Sequence, residues 1–151
     1  MQQANWHSTC SGNSGVILLV EDHDIYREVV RAALGKYLPQ FEMVEAGCVA
    51  AALPVLQSRH IDVMVVDMTL PDGSAIDLVE QCGYFIEQGV KVIVLSSHSI
   101  ADMLPVLSRS DVHAYVSKEQ GLKVLAETIT AICSAEAPAP GKQEPALAQV
   151  L

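Results

Sequence analysis

The stretch IDVMVVD, residues 61–67, is the strongest indication of the fold in this sequence. Its apolar residues form a run that is too short for a helix and is rich in β-branched side chains. Such a run is typical of a parallel strand that is buried on both faces. Open sheets of parallel strands place their sites at the carboxyl ends of the strands. Asp67, the last residue of the stretch, is therefore predicted to lie at a functional edge of a sheet.

Three other predicted strands also run directly into polar residues. The polar residues are Glu21 and Asp22 after the strand at 16–20, Ser96 after the strand at 90–95, and Lys118 after the strand at 114–117. Because the carboxyl ends of parallel strands meet at one edge, we expect these side chains to converge with Asp67 on one small pocket.

Segments with helical spacing of apolar residues separate the strands, and a weak strand at 43–46 follows the first of them. The predicted helices cover 25–34, with Asp24 as N-cap, and then 49–58, 74–88, 100–109 and 121–134. Five strand–helix repeats predict a doubly wound parallel sheet with helices on both faces. Pro54 and Pro105 fall inside two of these helices. Those helices must either begin late, with the proline in the first turn, or be kinked.

Composition limits the class of protein. The 151 residues suit one domain at 16–134, with a flexible leader at 1–15 and a Pro-rich linker or tail at 135–151. No apolar stretch approaches the ~20 residues of a membrane span, and the N-terminus does not resemble a signal peptide, so we expect a soluble cytoplasmic protein without membrane contact. The net charge of −9 argues against direct nucleic-acid binding. The four cysteines and five histidines show no zinc-ligand spacing.

The expected pocket crowds three carboxylates together. If Glu21, Asp22 and Asp67 lie about 5 Å apart, each pair repels by roughly 3 kcal/mol at an effective dielectric constant of 20. A cation relieves this repulsion, and oxygen ligands with water completing the shell suit Mg²⁺. With Lys118 opposite, Asp67 can act as a nucleophile toward a phosphoryl group and form an acyl phosphate. Ser96 could then donate a hydrogen bond to that phosphoryl group.

These residues resemble a known family, the receiver domain of bacterial two-component response regulators. The resemblance covers about residues 16–134 and lies in four motifs: VEDH at 20–23, VDMTLPDG at 66–73, VLS at 94–96 and YVSK at 115–118. Each motif alone is weak, but the set in this order and at these intervals is highly specific. The resemblance implies a flavodoxin-like (βα)5 three-layer sandwich whose five-stranded parallel sheet has the strand order 2-1-3-4-5.

The resemblance also implies roles for individual residues. Asp67 corresponds to the phosphoacceptor, and Mg²⁺ would be bound by Asp67, by Asp22 directly, by Glu21 through water and by the backbone carbonyl of Thr69. Lys118 would pair with the phosphoryl group, Ser96 would be the switch hydroxyl, and Tyr115 the aromatic residue that turns inward with it. Thr69 and His98 would lie nearby as modulators.

Besides Pro54 and Pro105, three departures from the family pattern lie in or next to the motifs. Glu21 stands where aspartate is commoner, which lengthens one arm of the metal site. Ser96 replaces the commoner threonine and keeps the hydroxyl. Glu119 follows Lys118 where many relatives have proline, so a cis peptide bond is not expected there.

The predicted function is a phosphorylation-controlled switch that is a regulatory phosphoacceptor, not an enzyme, and that assists its own phosphorylation and dephosphorylation. Its partner would be a sensor histidine kinase, and it would form a homodimer through the face of the fourth helix, fifth strand and fifth helix. The tail at 135–151 ends in the apolar stretch ALAQVL, either the start of a missing effector domain or a tail docked on its own domain. By family analogy the effector is a helix-turn-helix transcriptional domain. That domain would bind DNA, and the segment at 1–151 would not bind it directly.

Two alternatives stay open. One is a stand-alone receiver that acts through protein–protein interaction. The other is an aspartyl-phosphate phosphohydrolase, although such enzymes have a second aspartate two residues after the nucleophile, and Thr69 occupies that position here.

Overall fold

The computed structural model describes residues 15–108 and 110–134. Of the predicted leader, only Gly15 falls within these ranges, and it begins the first strand. The predicted linker or tail at 135–151 lies outside the described residues.

Strands and helices alternate along the described chain. The elements are β1 (Gly15–Val20), α1 (Asp24–Tyr37), β2 (Phe41–Ala46), α2 (Val49–Ser58), β3 (Val63–Asp67), β4 (Thr69–Leu70), β5 (Gly73–Ser74), α3 (Ala75–Gln81), α4 (Gly83–Glu87), β6 (Lys91–Ser96), α5 (Ile100–Leu107), β7 (Ala114–Ser117), a 3-10 helix (Lys118–Gln120) and α6 (Leu122–Ser134).

Five strands form one parallel sheet in the order β2-β1-β3-β6-β7, and β4 and β5 form a small antiparallel hairpin. Numbering only the five sheet strands, this order is 2-1-3-4-5, so the predicted doubly wound fold is confirmed. Within the described ranges, every helix is too short or too polar to cross a lipid bilayer.

Alternation of side chains along each strand builds two cores. Leu18 and Val20 of β1 pack on the face covered by α2, α3, α4 and α5, whereas Ile17 and Leu19 pack on the face covered by α1 and α6. All four side chains are fully buried, and each stabilises the fold by about 1.5–3 kcal/mol relative to an exposed side chain. The sheet is therefore sandwiched between two helical layers, as the unbroken apolar runs predict.

The prediction of one helix over 74–88 was wrong, because the segment forms two helices, α3 and α4. Cys82 separates them with φ −105° and ψ 13°, and its N–H donates to the Val79 carbonyl at 3.0 Å. This bond spans three residues and tightens the last turn of α3. Gly83, which has low helix propensity, begins α4.

The start of α1 also differs from the prediction of Asp24 as N-cap. His23 is the N-cap, and its Nδ1 accepts from the Tyr26 N–H at 3.2 Å. The Asp24 carboxylate instead accepts a hydrogen bond from Arg27 at 2.9 Å. Because the His23 ring already satisfies the first-turn donor, Asp24 becomes the first helical residue.

The two prolines lie in helix interiors. Pro54 is the sixth residue of α2 and Pro105 the sixth residue of α5, so the first of the two alternatives, a late start with the proline in the first turn, is excluded. Both prolines are exposed, which leaves the carbonyl groups that lack a proline N–H accessible to water.

Asp72 fastens the β4–β5 hairpin to the start of α2. Its carboxylate accepts from the Val49 N–H at 2.8 Å and the Ala50 N–H at 2.9 Å. These backbone hydrogen bonds hold the pKa of Asp72 below its usual range. The carboxylate also lies at the positive end of the α2 dipole. The loop that follows Asp67 is thereby anchored to the helical layer.

His113 connects the loop before β7 to β6. The backbone N–H of His113 donates to the Val92 carbonyl at 2.8 Å, and its ring Nδ1 accepts from the Val92 N–H at 3.0 Å. Burial, with the nearby charge of Lys91 adding to it, lowers the pKa of His113 to about 4. The ring is therefore neutral in the folded protein at neutral pH.

We expect His113 to make the fold acid-sensitive. The unfolded state takes up a proton near the ordinary histidine pKa of about 6.5 and the folded state only near 4, so stability falls as pH drops through this window, by up to about 3 kcal/mol. His113→Asn keeps an acceptor for Val92 and removes the titration. Urea unfolding between pH 7 and pH 4 should show a smaller loss for the variant, and an equal loss in both proteins would contradict this assignment.

Candidate functional site

The register of the sheet brings the strand ends to one edge. Val20 of β1 pairs with Val66 of β3, Asp67 of β3 pairs with Leu95 of β6, and Ser96 pairs with Ser117 of β7. Residues that follow β1, β3 and β7 consequently meet. The structure places Glu21, Asp22, Asp67, Thr69 and Lys118 around one open cleft of about 420 Å³, together with His23 and Tyr26.

Lys118 lies between two carboxylates of the cleft. Its Nζ is 3.4 Å from Asp67 Oδ1 and 3.4 Å from Glu21 Oε1. The same Nζ lies 4.4 Å from the centre of the Tyr26 ring, a distance at which an ammonium is attracted to the ring face. Ser117 caps the 3-10 helix that begins at Lys118, which sets the direction in which the lysine leaves the strand.

Three acidic side chains share the cleft with Lys118. One carboxylate oxygen each from Glu21, Asp22 and Asp67 lies within 4.8 Å of the others. Glu21 and Asp67 are buried, whereas Asp22 is exposed. The cluster thus presents two fixed oxygens and one that faces solvent.

Burial and mutual repulsion govern the charges of these acids. Burial raises the pKa of Asp67, with the charge of Asp22 adding to this effect and Lys118 opposing it. Burial also raises the pKa of Glu21, the charge of Asp67 adds to it, and the His23 N–H and Lys118 oppose it. The single positive charge of Lys118 therefore does not return the pKa values of Glu21 and Asp67 to their usual range.

A divalent cation fits this donor set. Glu21 Oε2 accepts from the His23 N–H at 3.1 Å, whereas the partner of the buried Glu21 Oε1 among the described residues is Lys118 Nζ, an ion-pair contact at 3.4 Å without hydrogen-bond geometry. A buried carboxylate oxygen that accepts no hydrogen bond is costly, and a metal ion is a further partner that would reduce the cost. Because all the converging donors are oxygens, the site suits Mg²⁺ better than a softer metal.

Ser96, His98 and Tyr115 form a second group on the α5 side of the same edge. Ser96 Oγ lies 2.9 Å from His98 Nδ1 and accepts from the His98 N–H at 3.0 Å. The Tyr115 hydroxyl donates to the His98 carbonyl. Tyr115 is fully buried and His98 is exposed. The Ser96 hydroxyl is thus bound to His98, and none of the three is among the residues that line the cleft.

Two residues of α1 belong to the site and were not predicted. Burial and the charges of Glu21 and Asp67 raise the pKa of Tyr26 to about 12, which keeps its hydroxyl protonated. Arg27 donates to the Glu21 carbonyl and to Glu45. The sequence signal was their position in the first turn of the helix that follows the acidic pair.

The response regulator receiver domain family matches residues 17–130 of the chain. Among curated proteins, the DNA-binding transcriptional activator DevR/DosR of Mycobacterium tuberculosis is 40% identical over 63 residues. That match covers 41% of this chain and 29% of the relative, so it spans less than a third of the relative's length.

Solved structures have the same fold. A two-component response regulator of the LuxR family from Aurantimonas sp. SI85-9A1 is 25% identical, with a TM-score of 0.74 and coverage of 90% of this chain and 94% of that one. A DNA-binding response regulator of the LuxR family from Staphylococcus aureus is 19% identical, with a TM-score of 0.72 and coverage of 79% and 98%. At that identity the second likeness concerns the fold alone.

Proposed function

The chain belongs to the response regulator receiver domain family, and we propose that it is a switch controlled by phosphorylation of Asp67. The observation that carries the proposal is the contact of the Asp67 carboxylate with Lys118 in a cleft that also holds Glu21 and Asp22. A nucleophilic carboxylate beside an ammonium group suits transfer of a phosphoryl group.

The chemistry follows from the cleft residues. The Asp67 carboxylate attacks the phosphorus atom of a phosphohistidine or a small acyl phosphate, the new O–P bond forms, and the bond from phosphorus to the donor breaks. Lys118 favours the ionised Asp67 that attacks and then pairs with the transferred group. Glu21, Asp22, Asp67 and the Thr69 carbonyl would hold Mg²⁺, which when bound neutralises phosphoryl charge.

A direct labelling experiment tests this function. Incubation of the full chain with Mg²⁺ and acetyl phosphate should add one phosphoryl group, labile to alkali, that intact-mass measurement detects and peptide mapping assigns to Asp67. A label on serine, threonine or histidine, or no label at all, would contradict the proposal.

We propose that Ser96 reads out the phosphoryl group. The Ser96 hydroxyl has two contacts with His98, and the His98 carbonyl accepts from Tyr115. A phosphoryl oxygen that takes the Ser96 hydroxyl would break the contacts with His98. The loop that leads into α5 would then lose its contacts with the Ser96 hydroxyl. Tyr115 is already buried and would keep its position.

Hydrogen exchange should reveal this readout. With Mg²⁺ and beryllofluoride, a mimic of the phosphoryl group, we expect altered amide protection over residues 97 to 115, because α5 contains Pro105 and lacks one helical hydrogen bond. In Ser96→Ala the mimic should still protect the loop after Asp67 but no longer affect α5. Changes confined to residues 68 to 74 in the wild type would refute this route.

The partners we propose follow from family membership and the relatives. A sensor histidine kinase would supply the phosphoryl group, and a homodimer would form through the face of α5, β7 and α6. The relative DevR/DosR is described as a DNA-binding transcriptional activator, which supports a C-terminal DNA-binding effector that would follow the linker at 135–151. We further propose a cytoplasmic receiver at 16–134 with a leader at 1–15, acting as a regulatory phosphoacceptor and not as an enzyme.

A further inference from the structure

A second cavity lies at the edge of the sheet opposite to Asp67. It has a volume of about 200 Å³ and lies between the C-terminal end of α2, helix α4 and the starts of β3 and β6. The lining side chains that matter here are Leu56, His60, Ile61, Tyr84, Phe85 and Val90.

Aromatic rings form one wall of this cavity. The rings of Tyr84 and Phe85 lie edge to face, with centroids 5.4 Å apart at an angle of 82°. Tyr84 is 67% exposed, a large exposed fraction for an aromatic side chain that lines a cavity. A further aromatic ring placed in the cavity would cover Tyr84 and extend this edge-to-face packing.

The charged groups around the cavity are already paired. The Arg59 guanidinium donates to both carboxylate oxygens of Glu42 at 3.0 and 2.9 Å, and His60 Nε2 lies 2.7 Å from Asp62 Oδ1. The volume is also below the ~300 Å³ at which small-molecule pockets begin. A single large apolar side chain therefore suits the cavity better than a charged metabolite.

The N-terminal segment enters the sheet beside this cavity. Asp62 Oδ2 accepts from the Val16 N–H at 2.8 Å, and the other oxygen of the same carboxylate contacts His60 of the cavity wall. Gly15 has φ +149°, and a Cβ there would lie 2.7 Å from Asp62 Oδ2. Glycine is therefore required at position 15, where the chain passes over Asp62. The Asp62 carboxylate links this point of the chain to His60 of the cavity wall.

The segment that precedes Gly15 contains the single tryptophan of the chain, Trp6. Residues 1–14 contain no Asp, Glu, Lys or Arg, so docking them beside the paired charges buries no side-chain charge. Trp6 is nine residues before Gly15, and an extended chain of that length reaches about 30 Å. We propose that Trp6 inserts into this cavity against Tyr84 and Phe85, so that the N-terminal segment covers the edge of the sheet opposite to Asp67.

Trp6 is its own reporter for this contact. In the full-length protein its fluorescence maximum should be blue-shifted, and its quenching by acrylamide several-fold weaker, than in urea-unfolded protein. Tyr84→Ala removes a largely exposed ring and should restore the emission and quenching of exposed tryptophan. Tyr37→Ala, which removes a half-exposed ring on α1, should leave the Trp6 signal unchanged.

The reverse substitution keeps the proposal falsifiable if Tyr84→Ala disturbs folding. In Trp6→Ala, the side-chain NMR signals of Tyr84 and Phe85 should move because the indole ring no longer shields them. Fully exposed Trp6 emission in the wild type, or unmoved Tyr84 and Phe85 signals in Trp6→Ala, would overturn the inference. A blue shift that disappears on dilution would overturn it in favour of a contact between two copies.

Discussion

Asp67→Asn is expected to abolish phosphoryl labelling by acetyl phosphate and Mg²⁺. The amide has nearly the same size as the carboxylate and can still accept a hydrogen bond from Lys118, so the cleft keeps its shape. It has no ionised oxygen that could attack phosphorus, and the loss of label should be complete. Asp111→Asn, which changes an exposed acid in the loop before β7, should be labelled like the wild type.

The same variant should be more stable than the wild type at neutral pH. The raised pKa of Asp67 means that the folded state binds this proton more tightly than the unfolded state does. The stability that depends on Asp67 therefore falls as pH rises from the ordinary aspartate value through the raised one. Asparagine avoids that loss, and urea unfolding at pH 7 measures it. Undiminished labelling of Asp67→Asn would show that the phosphoacceptor is another residue, whatever its stability.

Millimolar Mg²⁺ is expected to raise the thermal midpoint of the wild type, and Asp22→Ala should lose most of this response. An ion that binds the folded cleft and not the unfolded chain stabilises by mass action, by about 2.7 kcal/mol at one hundred times its Kd. For a domain of this size that corresponds to roughly 10 °C. Differential scanning calorimetry with and without Mg²⁺ measures the shift.

Asp22→Ala also separates metal binding from charge repulsion. Without Mg²⁺ this variant should melt at or above the wild-type temperature, because the exposed Asp22 carboxylate no longer repels Asp67. Glu28→Ala, which removes an exposed acid from α1, should keep the full Mg²⁺ response. A wild-type melting curve that millimolar Mg²⁺ leaves unmoved would rule out the proposed metal site.

The parallel sheet was predictable because its signal is local and strong. A run such as residues 61–67 has no polar face, which indicates a central strand, and the alternation of such runs with helices predicted a doubly wound sheet. The order of the strands came from the family resemblance. The break between α3 and α4 was not predictable in the same way. Val79, Cys82 and Ile86 are all buried, so the apolar spacing continues across a break that depends on the backbone angles of one residue.

The cleft was partly predictable for a similar reason. Glu21, Asp67 and Lys118 follow strands directly, so the strand ends alone predict that they meet. Tyr26 reaches the cleft from a helix, where its spacing looks like that of any packing residue. The binding of the Ser96 hydroxyl by His98 depends on a side-chain rotamer, which no pattern of residue types specifies.

The β4–β5 hairpin is attached to its surroundings more firmly than the loop after Ser96, so the two sides of Asp67 differ in stiffness. On one flank Asp72 ties the hairpin to α2 through two backbone N–H groups, and the Ala75 N–H donates to the Met68 carbonyl at 2.9 Å. On the other flank, the Ser96 hydroxyl contacts His98 Nδ1 and accepts from the His98 N–H, in the loop that leads into α5. A disturbance at Asp67 consequently meets a stiff flank and a compliant one, and we expect displacement to travel toward α5. Unequal stiffness would thus set the direction of the proposed switch before any partner is bound.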